Sequence, residues 1–344
     1  MIPLPVGPAF GGVDLPLDSH ESAEAAGSKP WRGYRSGFVG IIGRPNVGKS
    51  TLLNYYLGEK VAIVSPRPQT TRHRILGVLT REEAQVMFLD SPGLHEPEHT
   101  LGRHMLEAAK AVIDESDVLV TMVDARVGMT AEDEWVFTRV RQALHRPGAE
   151  RGGDAGTVKR GALLAINKVD VVRKPRLLPL LERCAKAKIF SECIPVSALT
   201  GEQMDVLLER IIAQLPEGPR WYEPQQRTDQ TTGHLIAEFI REQVLLATRQ
   251  EIPHAVAVLI DQIEERDRVT SIQATILVER PGQKAIVIGR GGAMLKGIGQ
   301  AARRQIERLL GRKAHLGLWV KVANDWRRDE RMLRQLGYAG AEEY

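Results

Sequence analysis

Hydrophobic positions follow two different rhythms along this 344-residue chain. Between residues 38 and 215, nearly unbroken Val/Ile/Leu runs occur at 38–42, 86–90, 118–124, 162–167 and 193–197. Runs without an alternating polar face are what strands covered on both sides require. Amphipathic stretches, such as 48–57 and 203–215, separate them and predict helices. Strands alternating with helices imply an α/β fold: a mostly parallel sheet with helices on both faces.

The proline-dense stretch 216–224 (PEGPRWYEP) ends that rhythm and predicts a linker. Beyond it the pattern predicts a helix over 234–247, strands at 255–260 and 271–278, and a glycine-rich corner. A long helix over 293–310 and a strand at 316–322 follow, an α+β order with no internal repeat. The expected organisation is a disordered tail (1–36), an α/β domain (37–218), a linker (219–228) and an α+β domain with a C-terminal tail (229–344). The Gly-rich polar stretch 146–160 is expected to be a long mobile surface loop.

Composition narrows the class. With 43% hydrophobic and 26% charged residues the chain is an ordinary globular protein. Its two cysteines, Cys184 and Cys193, exclude a disulfide framework and read as reduced thiols of a cytoplasmic protein. The longest apolar runs are far short of a membrane span. Asp14, Asp18, Glu21 and Glu24 near the N-terminus argue against a signal or transit peptide. Net charge is only +4, but residues 280–328 carry twelve Lys/Arg against Glu307 and Asp325. So strong a local excess points to a polyanion as partner.

The first strand is followed directly by Gly43-Arg44-Pro45-Asn46-Val47-Gly48-Lys49-Ser50, a complete GxxxxGK[ST]. Its glycines let backbone N–H groups wrap phosphates at the positive end of the next helix. Lys49 would reach the β- and γ-phosphates, and the Ser50 hydroxyl would ligate Mg²⁺. Asp90-Ser91-Pro92-Gly93 closes another strand. There Asp90 can hold Mg²⁺ through water, and the Gly93 N–H can sense the γ-phosphate. In Asn167-Lys168-Val169-Asp170, the Asp170 carboxylate can accept from both N1–H and the 2-amino group of guanine, a donor pair adenine lacks. Lys168 can lay its stem along the base, and Asn167 can tie loops together. Ser197-Ala198-Leu199 closes a further strand and is expected to aim the Ala198 N–H at guanine O6.

These motifs in this order predict a GTP/GDP site. Thr71, in the stretch 69–74 (QTTRHR), is the favoured second hydroxyl for Mg²⁺. Lys49, Thr71, Asp90 and Gly93 are the candidates for the hydrolytic machinery. Leu94 stands where a water-orienting glutamine is common, so slow intrinsic hydrolysis is expected. Asn46 offers an oxygen near which K⁺ could assist. His73 and His95 lie in the switch regions and read as bystanders.

The basic segment holds Ile288-Gly289-Arg290-Gly291-Gly292 and Lys296, a GxxG expected between two helices. Such a loop lets a nucleic-acid backbone approach closely, with positive charge from Arg290, Lys296 and a helix N-terminus. Ile286, Ile288 and Ile298 could floor the groove. The order helix–strand–strand–helix–GxxG–helix–strand matches a type II KH arrangement. Trp319 reads as core rather than as a stacking platform, and Trp326, with Arg327 and Arg328, as a weaker RNA contact. Without aromatics near the GxxG, RNA affinity should depend strongly on salt.

A P-loop GTPase domain followed by a type II KH domain resembles the Era family of bacterial GTPases. The segments that carry the resemblance are GRPNVGKSTLLN (43–54), QTTRHRILG (69–77), DSPGLH (90–95), NKVD (167–170), VSAL (196–199), LWVKV (318–322) and RRDERMLRQLGY (327–338). The resemblance implies a cytoplasmic GTP-dependent switch, sometimes peripheral to the cell membrane. It also implies binding of 16S ribosomal RNA near its 3′ end and help in maturing the small (30S) subunit. A monomer is expected. Arg290 stands where the family commonly has lysine, whereas a hydrophobic residue at Leu94 is usual for it. The alternative is a regulatory GTPase recruited to anionic lipid by its basic domain.

Overall fold

The computed structural model describes residues 31–94, 97, 99–145, 150–153, 156–159, 161–248 and 252–338. They form two compact units, one of residues 31–97 and 105–230, the other of 98–104 and the chain from Thr231 onward.

In the first unit the chain runs β1 (Arg35–Ile42), α1 (Lys49–Leu57), β2 (Ile75–Thr80), β3 (Ala84–Asp90), α2 (Thr100–Glu115), β4 (Val118–Asp124) and α3 (Ala131–Leu144). It continues through β5 (Glu150–Gly153), β6 (Gly156–Lys159), β7 (Gly161–Asn167), α4 (Leu177–Lys186), β8 (Glu192–Pro195) and α5 (Met204–Gln214). A six-stranded sheet has the order β2-β3-β1-β4-β7-β8, parallel except for the antiparallel β2–β3 pair. Every residue of β3 and β4 is buried, as their unbroken apolar runs require. On one face, Val39, Ile41, Phe88 and Val120 pack with Leu52 and Leu53 of α1 and Leu207 and Ile211 of α5. On the other, Ile42, Met87 and Leu119 meet Val112 of α2 and Val136 of α3, while Leu164 and Ile166 meet Leu180 and Cys184 of α4. Burial pushes the Cys184 thiol up to about 12, so it stays protonated and inert.

Three expectations are corrected in this unit. Arg35 and Ser36, assigned to the tail, begin β1, with the Ser36 N–H donating to Pro216 O at 3.0 Å. Part of the stretch expected to be a mobile loop pairs with itself instead, as the antiparallel β5–β6 hairpin. Its glycines mark a chain reversal and do not prevent a ladder. The antiparallel strand β2 had no place in the predicted alternation, because its short run ILGVLT directly follows a polar segment. The remainder of the predicted tail, residues 1–30, lies outside the described residues.

Residues 218–228, marked as a connection by their prolines, run along the outer strand. The buried Gln85 amide accepts from the Trp221 and Tyr222 N–H groups at 2.7 and 3.0 Å and donates to Tyr222 O at 2.7 Å. Val78 N–H donates to Arg227 O at 2.8 Å, and the Thr228 hydroxyl to Leu76 O at 2.7 Å. The strap thereby satisfies edge groups of β2 that would otherwise be open to foreign pairing.

The second unit contains α6 (Thr232–Ala247), α7 (Ile252–Ala255), β9 (Ala257–Glu265), β10 (Val269–Val278), α8 (Pro281–Ile288), α9 (Ala293–Leu310), β11 (Lys313–Val322) and α10 (Glu330–Gln335). Its sheet has the order β11-β10-β9, with β9 antiparallel and β11 parallel to the central β10. That pattern is the type II KH topology. Ile272, Ala274 and Ile276 of β10, Ala314 and Val320 of β11, and Ile298, Ala302 and Ile306 of α9 are buried. The alternation along β10 and β11 leaves their odd-numbered residues on the face away from the helices.

Two tryptophan readings reverse. Trp326 is 1% exposed and donates its indole N–H to Ala255 O at 2.9 Å, so it anchors the core and cannot meet RNA. Trp319, expected in the core, is 56% exposed because its odd position in β11 faces away from the helices. Arg327, read with Trp326, is engaged by Glu279 in a bidentate pair at 2.9 and 2.6 Å. Replacing Trp326 with Ala should cost about 3–5 kcal/mol of stability. Trp319→Ala should stay within about 0.5 kcal/mol of the parent. Chemical denaturation of the full chain, followed by far-ultraviolet circular dichroism, measures both.

Candidate functional site

Parallel strands bring the loops at their carboxyl ends to one edge of the sheet. Ile41 of β1 lies opposite Asp90 of β3, and Asn167 of β7 opposite Asp124 of β4. The predicted nucleotide residues therefore converge although they are spread over some 150 positions.

The Gly43–Gly48 turn opens α1. Lys49 folds back over it, donating to Gly43 O and Arg44 O at 3.1 Å each. Burial pulls its ammonium down to about 8, against the upward pull of the Asp90 carboxylate. A bound phosphate would supply the counter-charge that this buried lysine needs. Gly93 crosses close to the turn, since a Cβ there would sit 2.8 Å from the Pro45 nitrogen, and the Leu94 N–H donates to Gly43 O at 3.2 Å. The Leu94 side chain, 1% exposed, packs into the core beneath. It has neither the chemistry nor the position to orient water. Ser91 donates its hydroxyl to Ile41 O at 2.8 Å, which fixes the start of the Pro92-Gly93 loop.

Beside Lys49, three oxygen-bearing side chains meet. Ser50 Oγ donates to Asp90 Oδ2 at 2.6 Å and lies 2.9 Å from Thr71 Oγ1, which is 3.5 Å from Asp90 Oδ2. Thr70 turns away to Arg67 O and Ser65, so Thr71 alone of the adjacent pair reaches this cluster. Asp90 Oδ1 is buried without a hydrogen-bond partner among the described residues. Burial pushes the Asp90 carboxyl up to about 6, opposed by Lys49 and the Ser50 and Thr71 hydroxyls. A hard divalent cation fits this oxygen set and relieves both the unpaired oxygen and the buried charge. Among the described residues no group of three His, Cys, Asp or Glu could hold a metal.

At the other end, Asn167 donates Nδ2–H to Val47 O at 2.8 Å and accepts the Ala198 N–H on Oδ1 at 2.9 Å. Only glycine fits at Gly48, where φ is +106° and a Cβ would stand 2.2 Å from Asn167 Nδ2. The Ala198 N–H, expected to meet a purine oxygen, is thus spent on Asn167. It was read from strand position alone, which does not show what a neighbouring amide claims. Asp170 is held by the Ser197 hydroxyl at 2.6 Å, and Val169 is buried beneath. Lys168, with φ +68°, donates to Asn46 O and Asp124 Oδ2, both at 2.6 Å. Leu199 is exposed at the rim. Between the two ends lies a cleft of about 420 Å³ lined by Asn46, Lys49, Ser50, Thr71, Gly93 and Lys168, among others.

Two supporting carboxylates were missed. Asp124 closes the apolar run of β4 as Asp90 closes that of β3, a signal open to sequence reading. Asp133 takes the Arg44 guanidinium at 3.2 Å while its capping box with Thr130 starts α3. Its sequence signature announces only a helix start. His95 lies outside the described residues.

In the other unit the GxxG does fall between α8 and α9. The Gly289 N–H caps α8 through Ala285 O at 2.9 Å, and at φ +75° a Cβ would lie 2.6 Å from Met294 Cβ. Gly291 and Gly292 also have positive φ, but nothing lies within 4 Å of where their Cβ would be, so a ligand backbone can approach. Arg290, Lys296 and Arg303 are exposed and make no ion pair among the described residues. A groove of about 460 Å³ runs beside the loop, lined by Gly292, Lys296, Gly299, Arg303, Leu316 and Leu318, among others. Of the expected apolar floor, Ile298 is buried and Ile286 is 52% exposed.

A family model described as a 50S ribosome-binding GTPase matches residues 38–149, and a KH domain model matches 251–327. GTPase Era of Staphylococcus haemolyticus (strain JCSC1435) is 43% identical over 306 residues, 89% of this chain and 97% of that protein. The chain belongs to the Era family of GTPases. Two solved Era structures match with TM-scores of 0.82 and 40% identity, each covering 89% of this chain and 99% of its own. One is Era in complex with MgGDPNP and nucleotides 1506–1542 of 16S ribosomal RNA. The other is a single-site variant of Aquifex aeolicus Era bound to GDP and AlF4−. The GTPase model match contains the P-loop, and the KH match contains the GxxG.

The depressed Lys49 ammonium gives nucleotide binding a pH signature. At pH 8 about half of Lys49 is neutral, and a bound phosphate favours the charged form. GDP binding should therefore take up protons at pH 8 and fewer at pH 7. Calorimetry in two buffers of different ionisation enthalpy measures this directly.

Proposed function

We propose that this chain is a GTP-hydrolysing switch that binds the 3′ region of 16S ribosomal RNA through its KH domain and assists maturation of the 30S subunit. The carrying observation is one chain with both a P-loop edge and an open GxxG, aligned over 89% of its length with an Era bound to MgGDPNP and that RNA. The 16S RNA in that complex favours the small subunit over the larger one named in the family model's description. The GxxG also favours RNA over lipid, because an anionic membrane needs positive charge but no glycine backbone held open.

In this reading Gly43–Ser50 wraps the phosphates, and Lys49 neutralises the β- and γ-oxygens. Mg²⁺ would be held by the Ser50 and Thr71 hydroxyls, with Asp90 acting through water, and supplies further charge neutralisation on the phosphates. Thr71 and Gly93 report the γ-phosphate to their loops. Asp170 reads guanine, Lys168 covers the base, and Ser197, Ala198 and Leu199 form its rim. With Leu94 buried, no side chain at that position aligns the hydrolytic water. A K⁺ ion beside Asn46 fills part of that gap in this reading. Asn46 lies at the cleft, its Nδ2–H donating to Pro66 O at 3.1 Å.

Gly289–Gly292 clamps the RNA backbone, aided by Ile288, Arg290 and Lys296. The protein works as a cytoplasmic monomer, with room for peripheral contact with the inner face of the cell membrane through the same basic module. Among the described residues no helix is long and apolar enough to cross a membrane.

Crosslinking the GTP- and GDP-bound forms to total RNA and sequencing the fragments tests the function. Enrichment of the 3′ end of 16S RNA that changes with the nucleotide is expected, and equal, dispersed crosslinking sinks the reading. Asp170→Asn should lower GTP affinity at least about a hundredfold and favour xanthosine triphosphate, whose 2-oxo group accepts the new amide N–H. Turnover should be faster in K⁺ than in Na⁺, and Asn46→Ala should erase the difference. Equal rates for the wild-type protein in both ions would remove K⁺ from the mechanism.

A further inference from the structure

We infer that Trp319, on the open face of the KH sheet, is a nucleobase-stacking platform that extends the RNA track beyond the GxxG groove. This inference rests on the RNA-binding reading and adds a second contact surface to it.

Trp319 is 56% exposed, and its neighbours explain how the ring is presented. It lies opposite Thr275 of β10, which lies opposite Leu259 of β9, all on a face that no helix covers among the described residues. Two residues earlier on the same face is Gly317, where a Cβ would stand 3.1 Å from Trp319 Cη2 and 2.1 Å from Gln273 Oε1. The indole therefore lies along the strand with its far edge over Gly317, and a larger residue there would lift it. Gln273 Oε1, close to Gly317, is buried with no hydrogen-bond partner among the described residues. A large aromatic surface left uncovered gains nothing for folding, whereas stacking a base on it yields about 1–3 kcal/mol.

Position and charge select RNA as the occupant. Leu318, the adjacent residue, lines the GxxG groove, so groove and ring lie on the two faces of β11 at consecutive positions. β11 is an edge strand, and a nucleic-acid strand leaving the groove can cross it without obstruction from a further strand. The exposed His315 and Lys321 share the ring's face on β11, whereas Asp261 and Glu264 lie on β9, two strands away. The field therefore favours a polyanion on the β11 side. A GxxG loop clamps only about four nucleotides. The RNA in the related Era complex spans nucleotides 1506–1542, a longer stretch than one such loop clamps.

The test uses the full chain and a synthetic RNA of that span at fixed salt. Trp319→Ala should weaken binding between about fivefold and about 150-fold, with Trp319→Phe recovering most of the loss. The slope of log affinity against log salt should not change, because no charge is removed. A 2-aminopurine substituted at successive positions should be quenched at the stacked base by the wild-type protein and brighten with Trp319→Ala. Gly291→Asp probes the groove separately. If it abolishes binding while Trp319→Ala binds within twofold of wild type, the platform is wrong and the KH reading stands. If neither variant changes binding, the RNA reading itself fails. A Trp319→Ala loss accompanied by an altered salt slope, melting temperature or oligomeric state would also overturn the platform.

Discussion

The Asn167 side-chain amide joins three loops at the functional edge. Its Nδ2–H holds Val47 O of the phosphate loop, and its oxygen holds the Ala198 N–H of the loop after β8. The bond forms because Gly48 has no Cβ to occupy the space. A buried amide satisfied at both ends is costly to break, since either partner would be left unpaired in a dry environment. The phosphate loop is thereby tied to the loops after β7 and β8.

Charge follows the same economy. In the proposed function the first unit holds phosphates with a buried lysine, backbone N–H groups and a short oxygen cluster, and needs no broad positive field. The second carries most of the chain's basic excess, as the proposed grip on an extended polyanion requires. Several of those charges are already engaged: Arg327 by Glu279, Arg312 by Glu265 at 3.6 Å, and Lys313 by Glu307 at 3.7 Å. The residues nearest the GxxG, Arg290 and Lys296, are exposed and positioned to meet phosphate.

The motifs of the nucleotide edge could be read because each chemical role demands a residue type at a strand end, and unbroken apolar runs announce those strands. Asp133 could not be found in this way. It faces Arg44 across 89 residues of sequence, and only the packing of α3 brings them together. Nor could the partner of Ala198 be found, since nothing local says that a side-chain amide takes its N–H. The strap at 218–228 has the composition of a connection, and it is the unsatisfied edge of β2 that gives it partners.

By itself the sequence determined the two-part architecture, the nucleotide class and the basic KH module. These rest on local rules: the period of apolar residues, the glycine a phosphate loop requires, and a carboxylate whose chemistry matches the donor pair of guanine. Tertiary structure alone decided which tryptophan is core and which is surface. Both are large, apolar and set among basic residues, so composition treats them alike. Trp326 finds Ala255 O and a closed pocket, whereas the alternation of β11 turns Trp319 to the uncovered face. Which side of a strand is buried depends on what packs against it, and that is a property of the whole fold.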